Sequence, residues 1–242
     1  MKFTLSALAA AALTAVSFGN AVNAASLVVN GGFEATNLSA SYEMTASNVT
    51  GWSTTGYNFL YFPGTATTTG AYTPQFNQQI KLWGTNASNA SSGLPASSPD
   101  GGNFIAADGA YGTAPITQTI NGLSLGALYK VSFYWAGAQQ TGYTGATTEQ
   151  WKVSLGNATQ STAVVNNPSR GFSGWLSQSF TYTATSANEV LSFLAVGTPS
   201  GQPPFSLLDG VSVTAVPEPA SWIMLLMGLV AVGSVTLRRR QA

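Results

Sequence analysis

The sequence contains no cysteine and no histidine, and only 7% of its 242 residues are charged. Each shortage removes a class of chemistry. Without cysteine there are no disulfides, so the fold must rest on its core and on any bound ion. Zinc and iron–sulfur sites lose their usual ligands. Ser–His and Cys–His nucleophile pairs are excluded outright. The net charge is zero, but the charges are unevenly placed. Lys2, Arg238, Arg239 and Arg240 take four of the eight basic residues to the two ends. Between residues 25 and 216 the bases are Lys81, Lys130, Lys152 and Arg170. The acids there are Glu34, Glu43, Asp100, Asp108, Glu149, Glu189 and Asp209, four against seven, for a net charge of −3. A mildly acidic body offers no footprint for DNA or RNA, and nucleic acid is not an expected partner.

What is present is aromatic. Six Trp, nine Tyr and twelve Phe bring the aromatic share to 11%, too high for a disordered chain. Together with Val, Thr and frequent Gly, they suit strands joined by tight turns.

Both ends read as addresses. Lys2 precedes a short apolar run from Leu5 to Phe18, and Val22-Asn23-Ala24 follows. A charged start, a short apolar run and small residues at the end make a secretory signal peptide over 1–24. The alternative, a first transmembrane helix, would need about 20 apolar residues. At the other end, Val216-Pro217-Glu218-Pro219 leads into an uncharged stretch over 220–237, followed by Arg238-Arg239-Arg240. That stretch is long enough to span a bilayer as a helix. The arginines place its far side in the cytoplasm, which puts residues 25–215 outside.

The order Pro217-Glu218-Pro219, apolar helix, Arg238, Arg239 and Arg240 resembles the PEP-CTERM sorting signal of Gram-negative bacteria. The resemblance implies recognition by an exosortase, a membrane Cys transpeptidase-like enzyme. It also implies cleavage near the PEP motif, transient anchoring in the inner membrane, and delivery to the cell surface or extracellular polysaccharide. Pro217 to Pro219 would then be substrate. The alternative is a permanent single-span anchor.

Between the ends, residues alternate apolar and polar with a period of two. Tyr129, Val131, Phe133 and Trp135 fall on one face, Lys130 and Ser132 on the other. Trp151, Val153 and Leu155 alternate in the same way, as do Phe180 and Tyr182, and Val211 and Val213. This period places alternate side chains on opposite faces of a sheet. Val190–Val196 is more continuously apolar and reads as an inner strand, and Ile116–Ile120 as a further short one. Turn clusters such as Asn121-Gly122 separate the strands. The expectation is a single all-β sandwich domain over 25–215. Two long loops, 63–79 and 84–103, interrupt it. A short tether leads to the sorting tail over 216–242.

A second set of segments occurs in order: Leu27-Val28-Val29-Asn30-Gly31-Gly32-Phe33-Glu34, Gly51-Trp52, Pro99-Asp100-Gly101-Gly102-Asn103-Phe104, Ile116–Ile120, Gly126–Phe133 and Leu208-Asp209-Gly210-Val211-Ser212-Val213. The set resembles a galactose-binding-like jelly roll, the fold of many carbohydrate-binding modules. The resemblance implies that the opening and closing segments are the first and last strands. It also implies that Glu34 and Asp209 help bind a structural calcium ion, which takes carboxylate and backbone oxygens. The sequence departs from the fuller pattern at Gly210, where a second acid is common. Without an ion, Glu34 would cap a turn and Asp209 would be solvated.

Sugar binding requires aromatic faces and a few placed polar groups. Trp52, Tyr57, Tyr61, Trp83, Tyr111, Tyr143 and Trp175 are the candidate rings, with Asn58, Gln139 and Gln140 as polar partners. Trp52, Trp135 and Trp151 read as core; Trp83, Tyr111 and Tyr143, in or near loops, are the expected ligand rings. For hydrolysis the acids are the available catalytic groups, and two must face each other. Glu43 and Glu149 are conceivable partners, but no motif pairs them, and Asp108-Gly109 reads as a turn. The expected function is a non-enzymatic carbohydrate-binding or adhesive module of the cell surface or biofilm matrix. The alternatives are a structural matrix protein without a ligand and a glycoside hydrolase.

Overall fold

The computed structural model describes residues 25–84 and 93–217. The expected signal peptide, the expected span over 220–237, Glu218, Pro219 and Arg238–Arg240 lie outside these residues. Among the described residues no helix is long and apolar enough to cross a membrane.

The body is all-β, a two-sheet sandwich of jelly-roll type. Its first five strands are β1 (Tyr42–Glu43), β2 (Asn58–Tyr61), β3 (Ala71–Thr73), β4 (Gln78–Ile80) and β5 (Phe104–Asp108). Next come β6 (Ile116–Asn121), β7 (Leu128–Gln139), β8 (Thr147–Leu155), β9 (Ala158–Ser161) and β10 (Val165–Asn167). The last three are β11 (Leu176–Thr183), β12 (Asn188–Thr198) and β13 (Pro204–Ala215). The large sheet runs β11-β7-β13-β5-β2-β1-β3-β4 and the small sheet β10-β8-β12-β6, with β9 also on β8. Pairing is antiparallel throughout, except where β1 meets β3.

Alternation positions the core. On β7, Tyr129, Val131, Phe133 and Trp135 point between the sheets and are buried. On β8, Trp151, Val153 and Leu155 do the same from the opposite side, and on β12 so do Leu191 and Phe193. Phe193 is the hub: its ring meets Phe133 at 5.1 Å, Trp151 at 5.9 Å and Trp52 at 6.3 Å. Edge-on ring pairs of this kind add to the stabilisation from buried area. Polar handles tie the sheets together. The Trp151 indole donates to Leu207 O (3.0 Å) and the Tyr182 hydroxyl to Val153 O (2.8 Å).

The outer face of the large sheet is also apolar. Phe59, Tyr61, Phe104, Ala106, Ala136, Ala138, Phe205 and Leu207 form a second buried cluster there. Tyr57, Ala66, Ile80, Leu82 and Leu94 cover it, from segments flanking β2 to β5.

The structure corrects two expectations. Residues 63–79 are not wholly loop, because β3 and the start of β4 lie within them and pair Tyr72 with Gln79. Residues 27–34 are not a first strand. They run beside β13, with Leu27 N–H donating to Val213 O (2.8 Å) and Val211 N–H to Gly31 O (3.0 Å). Left-handed φ values at Asn30 (56°) and Phe33 (60°) prevent a continuous ladder.

Glu149 is a polar exception inside the sandwich. It is fully buried against Gly137, and Thr147 Oγ1 donates to its Oε1. Its Oε2 and the nearby Asn167 Oδ1 have no hydrogen-bond partner. Burial pushes its pKa from 4.5 up to about 8, against the Thr147 hydrogen bond. Protonation turns Oε2 into a donor among these acceptors. The folded carboxyl therefore holds a proton that the unfolded chain releases above pH 4.5. Stability should fall as pH rises through that window. Melting curves of the Glu149→Gln variant between about pH 5 and about pH 8 should be flatter than wild type, with the variant gaining most at the alkaline end.

Candidate functional site

A cleft of about 380 Å³ opens at one end of the large sheet, where β5 and β7 finish and β13 begins. Tyr57, Phe76, Tyr111 and Tyr143 supply its rings, and Gln78, Asp108, Gln140 and Ser200 its polar groups. Three of the rings form one cluster, with Tyr57 edge-on to the other two. Tyr57 meets Tyr111 at 5.3 Å and Phe76 at 5.8 Å, and Phe76 meets Tyr111 at 5.9 Å. Tyr57 continues inward to Phe59 at 4.6 Å, so the wall of the cleft is an extension of the second apolar cluster.

Asp108 builds the turn that presents Tyr111. It ends β5, and its Oδ1 accepts the N–H groups of Ala110 (2.8 Å) and Tyr111 (3.0 Å). Gln75 Nε2 then donates to the Tyr111 hydroxyl (2.8 Å). Burial raises the Asp108 carboxyl to about 6, partly offset by those two backbone donors. Burial also holds the Tyr57 phenol well above its ordinary range, and the nearby charges of Glu43 and Asp108 push the same way.

Two of the three expected ligand rings meet at this cleft. Tyr111 is 46% exposed and Tyr143 42%. Trp83 does not present a face there. It is only 9% exposed, with the Arg170 guanidinium 5.2 Å above its ring. Its indole donates to Tyr143 O (2.9 Å), which makes it a brace for the Tyr143 loop. Of the other candidates, Tyr57 and Gln140 line the cleft. Tyr61 is fully buried and donates to Ile80 O (2.9 Å). Asn58 and Gln139 are buried and spend their amides on Thr54 and Thr147. Trp52 is core, and Trp175 packs on Phe104 at 5.7 Å. Glu43 belongs to the large sheet and accepts from Thr73, whereas Glu149 belongs to the small sheet and accepts from Thr147. They do not form a facing pair. Sequence reasoning did not assign Phe76, Gln78 or Asp108 to a site. The Asp-Gly turn was the one visible signal.

Glu34 and Asp209 come together elsewhere, at the bulge in β13 between Asp209 and Ser212. The bulge residue Gly210 has φ 60°, and a side chain there would press on Asp100. The loop residue Asp100 thus occupies the neighbourhood where an acid at position 210 would have stood. A Cβ on Gly32 would lie 3.2 Å from Asp100 Oδ2 and 4.0 Å from Asp209 Oδ1, and one on Gly102 would collide with Glu34. Ser98 donates to Asp209 Oδ2, and Asn103 N–H donates to Glu34 Oε1 (2.6 Å). Asp209 is fully buried, and its Oδ1 has no partner. Burial raises its pKa to about 8, and the charges of Asp100 and Glu34 add to the rise. Among the described residues, no three acidic, His or Cys side chains close into a complete metal-ligand set.

The tail is identified by its sequence. Residues 215–240 match the PEP-CTERM protein-sorting motif. The motif indicates an exported protein sorted to the cell surface, and it implies exosortase processing. No curated protein matches the chain. Among solved structures, the TmCBM61 module in complex with β-1,4-galactotriose is 16% identical, covering 79% of this chain and 99% of that one, with a TM-score of 0.39. The CBM22-1 xylan-binding domain of Paenibacillus barcinonensis Xyn10C is 11% identical, covering 76% and 98%, with a TM-score of 0.33. The enzymatically active domain of bacteriophage CBA120 tailspike protein 4 is 14% identical, covering 79% and 21%, with a TM-score of 0.36.

The brace and the presented ring should separate on mutation. Trp83→Ala should cost about 3 kcal/mol of stability, as expected for a large buried ring. Tyr111→Ala should cost about 1 kcal/mol or less. Denaturant titration of the two variants checks the difference.

Proposed function

We propose that the chain is a non-catalytic glycan-binding module, displayed at the surface of a Gram-negative cell after exosortase processing and acting in its extracellular polysaccharide. The observation that carries this reading is the cleft, in which exposed tyrosine rings stand beside amide, hydroxyl and carboxylate groups. Rings supply flat apolar faces for pyranose C–H groups, and the polar groups meet hydroxyls. The volume is at the lower end for small-molecule sites, suited to a short stretch of glycan. Binding is favoured over hydrolysis because Asp108 is the one acid lining the cleft among the described residues, and hydrolysis commonly takes a facing pair. The sorting motif supports the location, since it marks a protein sorted to the cell surface. In this reading residues 1–24 are removed as a signal peptide, 25–215 are the binding domain, and 216–242 are the sorting tail.

The same reading includes a structural calcium ion held by Glu34 and Asp209, with Asp100 beside them. The partnerless Asp209 Oδ1 and the glycines packed against these carboxylates support it. When bound, the ion would supply positive charge to a buried carboxylate and tie residues 27–34 to β13.

Titration calorimetry on the protein recovered from cells, against a panel of soluble polysaccharides, tests the glycan reading. Saturable binding is expected. Tyr111→Ala or Tyr143→Ala should weaken it about tenfold, or ~1.4 kcal/mol; binding to no polysaccharide would favour a ligand-free matrix protein instead. For calcium, melting temperature should rise with added Ca²⁺ and fall with chelator, and Asp209→Asn should blunt both responses. A melting point indifferent to both additions would remove the ion from the account.

A further inference from the structure

The charges around the cleft narrow the class of glycan, an inference that rests on the glycan-binding reading above. Asp108 lines the wall, and neither Lys nor Arg does. Its Oδ1 is engaged by two backbone N–H groups, whereas no donor among the described residues meets Oδ2. The Tyr57 phenol feels the Asp108 charge, with Glu43 acting on the same group, and the Tyr111 hydroxyl is held by Gln75. None of these carries positive charge. Glu43 instead adds a second negative field, and its carboxylate is already bonded to Thr73. Burial makes the Asp108 charge costly, with a pKa of about 6, so near neutral pH it is mostly an ionised carboxylate in want of a counter-charge. The exposed tyrosine rings present electron-rich faces, which attract cations as well as sugar C–H groups.

We propose that this cleft takes glycans carrying free amino groups, that is, de-N-acetylated hexosamines, with the sugar ammonium against Asp108 Oδ2 and the ring against Tyr111 and Tyr143. An N-acetylated unit offers a neutral amide in place of the charge, so the ion pair is lost. A uronate brings a second carboxylate to Asp108 and is repelled.

The test uses matched glucosamine oligomers, one fully N-acetylated and one with free amines, together with an oligogalacturonate and a neutral galacto-oligosaccharide. Each is titrated at neutral pH into the protein recovered from cells. The free-amine oligomer should bind at least tenfold tighter than its N-acetylated partner, and the uronate should not bind. Asp108→Asn keeps the Oδ1 acceptor of the turn, and it should abolish the preference while leaving the melting curve folded and cooperative. Tyr111→Ala should weaken both glucosamine oligomers alike and keep their ratio. Equal binding of the two oligomers, or a preference that persists in Asp108→Asn, overturns the inference while the glycan reading stands. Equally tight binding of an oligolysine of the same length also overturns it, because charge alone would then suffice. Failure of all four sugars overturns the inference, and the glycan reading falls with it only if the polysaccharide panel fails as well.

Discussion

The large sheet is apolar on both faces, and the rest of the molecule follows from the need to cover both. One face is met by the small sheet, with Phe193 at the centre of the contact. The other is met by the chain's own segments around β2, β3, β4 and β5. The cleft lies where that second cover stops. Its innermost ring, Tyr57, touches Phe59 of the covered cluster on one side and the exposed Tyr111 on the other. Site and core are therefore one continuous aromatic layer, in which the buried Tyr57 backs the presented Tyr111.

In a chain with so little charge, three of the buried carboxylates have distinct settings. Glu149 stands among neutral acceptors and donors and is suited to its protonated form. Asp209 stands beside the Glu34 and Asp100 carboxylates in a glycine-lined recess, where a bound cation would offset the repulsion. Asp108 sits at the wall of an open cleft, where an incoming ligand can supply the missing partner. Burial raises all three pKa values, yet the surroundings assign them different tasks.

The strands β6, β8 and β11, and residues 128–135 of β7, were legible in the sequence because one face turns to the core and the other to water or a polar layer. The end of β13 alternates in the same way at Val211 and Val213, and β12 was legible from its apolar content. Tyr129 to Trp135 is the clearest example. β2 and β5 were not, because both their faces are covered. Asn58–Tyr61 and Phe104–Asp108 are buried at every position, so no alternation marks them. β3 and β4 are too short to carry a period. At the cleft, Tyr111 and Tyr143 were visible as aromatics near turn residues. Trp83 had the same local signature, but a long-range contact with Arg170 and the Tyr143 carbonyl decides its place. Phe76 and Gln78 reach the cleft through the β3–β4 hairpin, which follows a Thr- and Gly-rich stretch and reads with it as loop. Asp100 was visible within Pro99–Phe104, but its neighbourhood with Asp209 depends on the bulge at Gly210.

The position of β13 has a mechanical consequence. This last strand lies in the middle of the large sheet, hydrogen-bonded to β7 on one side and β5 on the other, and the tail follows directly from it. The large sheet therefore cannot close until the end of the body is available, because β13 fills the gap between β7 and β5. Once it has folded, a pull on the sorting tail loads many ladder bonds of β13 together, along the strand, rather than peeling them off one at a time.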